Sequence, residues 1–287
     1  MKLGLVGENI SQSHSPRIHS EFAKCLGLEN FLYSLQAVSE NLSFEEKILE
    51  LKNKNFLGCN ITVPYKTLAF ELADECSESV KKSGAANVFK FNKNGKIFAD
   101  NTDGIGLLRD LKSNLNFEVK NKIILICGAG GAVRGILGSL IKEMGREGLI
   151  IIANRSVEKA QELVKIFKKD FENMSAVGYE SLNSLEYKNL SFDLVIDGSS
   201  LRDKKLPLPE NLKLSQDSLV YDLKYLGAGE SDLETSFMRW GKAKNAGKVS
   251  DGLGMLVEQA AESFRIWTGL MPETKLVIES LRSDLKE

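Results

Sequence analysis

Three polar clusters in the first part of the chain carry side chains that could hold a small oxygenated molecule and move a proton on it. They are Ser13 and Ser15 in "SQSHSPRIHS", Asn60, Thr62 and Lys66 in "NITVPYK", and Asn87, Asn101 and Asp103 in "GAAN" and "DNTDG". Together they supply hydroxyls, amides, one cation and one carboxylate. A lysine within reach of a carboxylate is favoured as the ammonium, and so suits a general acid. Each cluster also has a purely structural reading. Ser15 before Pro16 is the usual N-cap and N1 proline of a helix, which leaves Ser13 little structural work. Thr62 is a strand former, Lys66 an exposed lysine early in a helix, and Asp103 a helix cap. Against that stands the anion or polyol site that hydroxyls and free amides make at a helix N-terminus.

A second kind of chemistry is written in "ILICGAGGAVRG", an apolar strand, a Gly-rich turn and a helix start. Gly128 permits the tight turn, and Gly130 lets backbone N–H groups approach a pyrophosphate. The usual third glycine position is Val133. A further strand ends about 25 residues on, where the residue that meets the adenosine ribose belongs. That place holds "ANRS", with no acidic side chain for a ribose hydroxyl. Arg155, with Ser156 and Lys159, offers cations and a hydroxyl to a 2′-phosphate, which favours NADP over NAD. The alternative is that Arg155 and Lys159 are solvated charges around a helix start.

The elements that must position these groups follow from the apolar pattern. "KLGLVG", "FLYSLQAV" and "FLGCNITV" are strands, separated by helical stretches at "SPRIHSEFAKCLGL" and "SFEEKILELKNK". "KTLAFELADE" is helical, and "ANVFKFNKNGKIFADN" reads as two strands turning at Asn94–Gly95. Such alternation means a mostly parallel α/β sheet. A second series starts near Asn121, with near-continuous apolar strands that predict helices on both faces. The last stretch is helical and is expected to pack back on the first domain. The expected fold is therefore α/β with two domains separated by a cleft. Residues 1–101 with 256–287 form a mostly parallel domain, and 102–255 a Rossmann-type dinucleotide domain.

With 287 residues there is room for two ordinary domains. An apolar share of 43%, a charged share of 27% and a net charge of −1 describe a globular chain without the basic block that nucleic acid attracts. No apolar run reaches the roughly eighteen residues of a membrane span, and no charged-then-apolar leader precedes the first strand. Cys25, Cys59, Cys76 and Cys127 lack metal or disulfide spacing and are expected to be reduced thiols of a cytoplasmic protein. His14 and His19, five apart, miss the i, i+4 spacing of a metal pair, so no metal is expected.

Taken together, "SHSPRIH", "CNITVPYK", "SGAAN", "DNTDGIG", "GAGGAVRG", "NRSVEKA", "VYDLKY" and "DGLGMLVEQAA" resemble the shikimate dehydrogenases in order and over nearly the whole chain. The resemblance implies NADPH-dependent, reversible reduction of 3-dehydroshikimate to shikimate, on the route to chorismate and the aromatic amino acids. It implies a small-molecule substrate, no nucleic-acid or membrane partner, and leaves a homodimer open. Lys66 and Asp103 then correspond to the catalytic pair. Ser13, Ser15, Thr62, Asn87, Tyr225 and Gln259 correspond to substrate contacts. Gly128, Ala129, Gly130, Gly131, Ala132, Asn154, Arg155, Ser156, Lys159, Leu223 and Gly252 correspond to the cofactor site.

The chain departs from the family pattern at His14, at the residue after Asn87, at Asp197 and Gly198, and in a longer segment over 226–235. Three other readings stay open on sequence. One is a quinate/shikimate dehydrogenase using NAD, which Arg155 disfavours. Another is a ligand-sensing relative without turnover, which the retained Lys66 and Asp103 disfavour. The third is a methylenetetrahydrofolate-type dehydrogenase, which the paired serines and Gln259 disfavour.

Overall fold

The computed structural model describes residues 1–39, 41–200, 206–226 and 234–284. Most of the 226–235 segment therefore lies outside the described residues, as do 201–205. The chain clusters into two compact units, Met1–Asp110 with Gly254–Glu287, and Leu111–Leu226 with Asp232–Leu253.

The first unit begins β1 (Lys2–Gly7), α1 (Ser15–Cys25), β2 (Leu32–Ala37), α2 (Phe44–Asn53) and β3 (Gly58–Ile61). It continues with α3 (Lys66–Leu72), β4 (Glu75–Cys76), α4 (Glu78–Ser83), β5 (Val88–Phe91), β6 (Ile97–Asp100) and α5 (Asp103–Arg109). Helix α2 shows why such segments form. Ser43 Oγ accepts the Glu46 N–H while Glu46 Oε2 accepts the Ser43 N–H, a reciprocal capping box. Phe44, Ile48 and Leu51 then bury one face of that helix. The short β4 and α4 carry too little apolar periodicity to be read from sequence. Ser77 caps α4 and Gly84, at φ 64°, ends it.

In the sheet the order is β2-β1-β3-β5-β6-β4. β1 runs parallel to β2 and β3, whereas β5 is antiparallel to both β3 and β6. The C-terminal ends of β1, β3 and β6 and the N-terminal end of β5 thus lie along one side of the sheet. Every polar cluster of the first unit follows or precedes one of those ends.

The second unit holds β7 (Ile123–Cys127), α6 (Gly131–Glu143), β8 (Leu149–Ala153), α7 (Val157–Phe167), β9 (Met174–Val177), β10 (Ser191–Asp197), β11 (Lys213–Asp222), α8 (Ser236–Ala243) and β12 (Lys248–Ser250). All pairings among these strands are parallel, in the order β12-β11-β10-β7-β8-β9. That is the doubly wound order of a dinucleotide fold, with its reversal between β7 and β10. Ile124, Leu125, Ile126, Ile150, Ile151 and Ile152 are fully buried, each worth about 1.5–3 kcal/mol of transfer free energy.

Helices α9 (Leu253–Thr268) and α10 (Lys275–Asp284) complete the chain. The first unit runs to Asp110 and resumes at Gly254, beside the divisions expected at 101/102 and 255/256. α5 stays with the first unit because it crosses α9 closely. A Cβ on Gly106 would lie 2.6 Å from Gln259 Cβ. α5 then runs into a π-helical turn, Asp110–Asn114, where the first unit ends.

Candidate active site

The turn after β1 differs from its sequence reading. His14, with helical backbone at φ −73° and ψ −9°, occupies the N-cap position of α1, and Ser15 is already the first helical residue. No side chain caps the helix in the usual way. Ser13 Oγ accepts the Ser15 N–H at 3.2 Å and donates to Ser15 Oγ at 3.1 Å. Helical backbone at His14 moves the start of the helix back by one residue, so Ser13 satisfies an early amide and Ser15 does not. Ser15 is buried and Ser13 half-buried. Thr62 follows β3, beside β1 in the sheet, and its N–H donates to Val6 O at 3.0 Å.

Lys66 begins α3 and Asp103 begins α5. Lys66 Nζ donates to Asp103 Oδ2 at 2.5 Å, with the side chains only 12% and 6% exposed. The exposed-lysine reading of Lys66 is thereby overturned. The Lys66 carbonyl also accepts the Ala86 N–H, which ties α3 to the segment that carries Asn87 into β5. Asn87 Nδ2 donates to the other Asp103 oxygen, Oδ1, at 2.8 Å, and to Gln259 Oε1 at 3.3 Å. The Thr102 N–H donates to Asn87 Oδ1 at 2.8 Å, which fixes the orientation of that amide. The Asp103 N–H donates to Asn101 Oδ1 at 3.0 Å.

Sequence reasoning missed the support behind these groups. Thr102 Oγ1 donates to Gln259 Oε1 and lies 3.2 Å from Ser263 Oγ. Asn60 Nδ2 donates to Ser263 Oγ and to the Asn87 carbonyl, while Tyr33 Oη donates to Asn60 Oδ1. One signal was available, since Ser263 stands four residues after Gln259 and shares its helix face. Buried polar groups so completely paired hold one geometry.

The first unit thus brings together Ser13 with Ser15, and Lys66 with Asp103, Asn87 and Gln259. Tyr225 belongs to the second unit. Among the described residues no group of three or more His, Cys, Asp or Glu could hold a metal ion. All four cysteines are free. Among the described residues no helix is long and apolar enough to cross a membrane.

In the second unit, Gly128 adopts φ 105°, a conformation that strains any residue with a Cβ. Gly130 is the N-cap of α6, with no side-chain cap and no acidic residue in the first turn. A Cβ at Gly130 would meet nothing within 4 Å, so the amides of Gly131 and Ala132 begin a helix N-terminus open to an anion. Asn154, just past β8, donates from Nδ2 to the Ser156 carbonyl at 2.8 Å and shapes the next turn. Arg155 and Lys159 are exposed and make no ion pair among the described residues. This donor set fits a dinucleotide with an additional phosphate on its adenosine ribose. The Leu223 N–H donates to the Asp197 carbonyl, and the Gly252 N–H to the Lys224 carbonyl, so both positions sit at strand ends of the same sheet.

Comparison with known proteins shows the family. Residues 5–89 match the family model of the shikimate dehydrogenase substrate binding domain. Residues 110–203 match shikimate / quinate 5-dehydrogenase, and 252–282 the shikimate 5′-dehydrogenase C-terminal domain. The shikimate dehydrogenase (NADP(+)) of Hydrogenovibrio crunogenus is 42% identical over 281 residues, covering 97% of this chain and 96% of that protein. The crystal structure of an Ael1 enzyme from Pseudomonas putida is similar at 36% identity and TM-score 0.83, covering 98% of this chain and 97% of that one. The shikimate 5-dehydrogenase of Thermus thermophilus, solved with NADP(H) and shikimate, is similar at 28% identity and TM-score 0.82, covering 99% of each chain. By family models and by relatives matched over nearly its whole length, the chain belongs to the shikimate dehydrogenase family.

Proposed function

We infer that this chain is an NADP-dependent shikimate dehydrogenase, reducing 3-dehydroshikimate reversibly to shikimate. The reaction serves the synthesis of chorismate and the aromatic amino acids. The observation that carries the reading is the largely buried Lys66–Asp103 pair, 2.5 Å apart and braced by Asn87. We assign substrate and acid–base chemistry to the first unit and the cofactor to the second.

Bound NADPH supplies the hydride for the ketone carbon. Lys66 stands as an ammonium that stabilises growing charge on the ketone oxygen and donates its proton there. In the reverse direction the neutral amine takes that proton back. Asp103 aims the ammonium through Oδ2, while Asn87 on Oδ1 stops the carboxylate from turning. Ser13 and Ser15 hold the substrate carboxylate through their hydroxyls. Thr62, Asn87 and Gln259 meet the ring hydroxyls, and Tyr225 is assigned to substrate on the family resemblance.

The open helix start at Gly128–Ala132 receives the pyrophosphate, and Arg155, Ser156 and Lys159 the 2′-phosphate. Asn154 shapes that turn, and Leu223 and Gly252 line the nicotinamide side. The four free cysteines support a cytoplasmic location.

Loss of reduced-nicotinamide absorbance with NADPH and 3-dehydroshikimate tests the assignment, beside NADH and 3-dehydroquinate controls. Turnover with the first pair is expected. Flat traces with every pair would refute it, and faster turnover with NADH would favour the NAD-using quinate/shikimate reading.

A further inference from the structure

Asp197 is the last residue of β10, in register with Cys127 at the end of β7 and Asp222 at the end of β11. Its side chain is 4% exposed, and its two oxygens have separate partners. Oδ1 accepts the Ser199 N–H at 2.8 Å, and Oδ2 accepts the Lys224 ammonium. Lys224, 28% exposed, stands 3.5 Å from Asp222 Oδ1 and also donates to the Ser199 carbonyl at 3.4 Å. One ammonium therefore ties the turn after β10 to the turn after β11. Replacing a buried ion pair with apolar side chains is often neutral or stabilising, so fold stability alone gives little reason for it.

The position of these turns supplies a reason. They flank the reversal of strand order, where a dinucleotide lies across the strand ends. With the pyrophosphate at α6 and the adenosine ribose at Arg155 after β8, the nicotinamide half falls on the β10–β11 side. The turn after β10 has no slack of its own. A Cβ on Gly198 would come within 2.4 Å of Val133 Cγ2 and 3.2 Å of Leu223 Cδ1. Val133, in place of the usual third glycine, fills the space that Gly198 leaves. The turn is thus wedged from below by Val133 and latched sideways by Lys224.

We propose that the Asp197–Lys224 ion pair is a positioning clamp for the nicotinamide half of the cofactor, setting the spacing of the 197–199 and 222–224 turns. Neither side chain touches the reacting atoms, and the adenosine half is held independently. The inference rests on the NADP reading above.

Calorimetric titration with two ligands tests it: NADP+, and 2′,5′-ADP, which lacks the nicotinamide half. Lys224→Met and Asp197→Asn are each expected to weaken NADP+ about tenfold, or roughly 1.4 kcal/mol, with 2′,5′-ADP affinity unchanged. Asp197→Asn keeps an acceptor for Ser199 and removes only the charge. Lys224→Arg, which keeps the charge, is expected to retain NADP+ affinity. Equal weakening of both ligands would reduce the pair to a fold contact and overturn the clamp, as would unchanged NADP+ binding in Lys224→Met. Weakening in Lys224→Met alone would place the ammonium directly on the cofactor, which also overturns it. A wild-type chain that binds neither ligand would instead overturn the cofactor reading beneath it.

Discussion

Asn87 Nδ2 lies 2.8 Å from Asp103 Oδ1, on the carboxylate oxygen that Lys66 does not use. Asp103 is therefore held from two sides, and the Lys66 ammonium is aimed by a carboxylate that cannot rotate freely. Because the Thr102 N–H orients Asn87 in turn, the direction of the Lys66 ammonium is set by residues just before β5 and at the start of α5.

Lys66→Ala is expected to lower kcat by roughly two or more orders of magnitude, the scale of losing a general acid. KM should change far less, because the charge that the ammonium meets on the substrate exists only in the transition state. Steady-state kinetics separates the two. A steep rise in KM at unchanged kcat would make Lys66 a binding residue and contradict the mechanism.

Arg155→Ala should weaken NADPH much more than NADH. Arg155 has no ion-pair partner among the described residues, and only NADPH carries the phosphate its guanidinium would meet. Fluorescence titration with both cofactors reads the difference. Equal losses would assign Arg155 to the fold of the turn, and no loss to a phosphate site elsewhere.

The two serines separate differently from their sequence reading. Ser13 Oγ accepts the Ser15 N–H, so Ser13→Ala should cost about 1 kcal/mol of stability, as losing a cap does, and raise KM as well. Ser15→Ala removes no backbone partner and is the cleaner probe. Its KM for shikimate should rise about tenfold or more, from one lost hydrogen bond to a carboxylate, at an almost unchanged melting temperature. A wild-type KM in Ser15→Ala would return that hydroxyl to a packing role.

His19 supplies a pH dependence of stability. Its ring stacks on Tyr33 at 4.1 Å and lies fully buried among Phe22, Phe264 and Trp267. Burial pushes its pKa down to about 3, against about 6.5 in the unfolded chain. The unfolded state therefore binds the extra proton. This contribution is fully present above pH 6.5 and is lost as the pH falls toward 3, with a slope of up to about 1.4 kcal/mol per pH unit. Urea midpoints at pH 7 and pH 5 should fall less in His19→Phe than in the wild type. Overpacking by the larger ring would lower both midpoints without restoring the slope. Parallel pH dependences in the two proteins would remove His19 as the cause.

What the sequence determined by itself is what depends on near neighbours along the chain. The strand, Gly-rich turn and helix over Ile123–Glu143, the capping box of α2 and the hairpin turning at Gly95 follow from side-chain periods and backbone preferences spanning a few residues. The place of Arg155 just after β8 was legible for the same reason, since it depends on distance from one turn. The tertiary structure decided whatever depends on residues far apart meeting. Lys66 reaches Asp103 across 37 positions, Asn87 reaches Gln259 across 172, and Lys224 reaches Asp197 across 27. No local period encodes such pairings. They arise when sheet order brings strand ends together and burial then leaves each polar group without water, so that it must find its partner inside the protein.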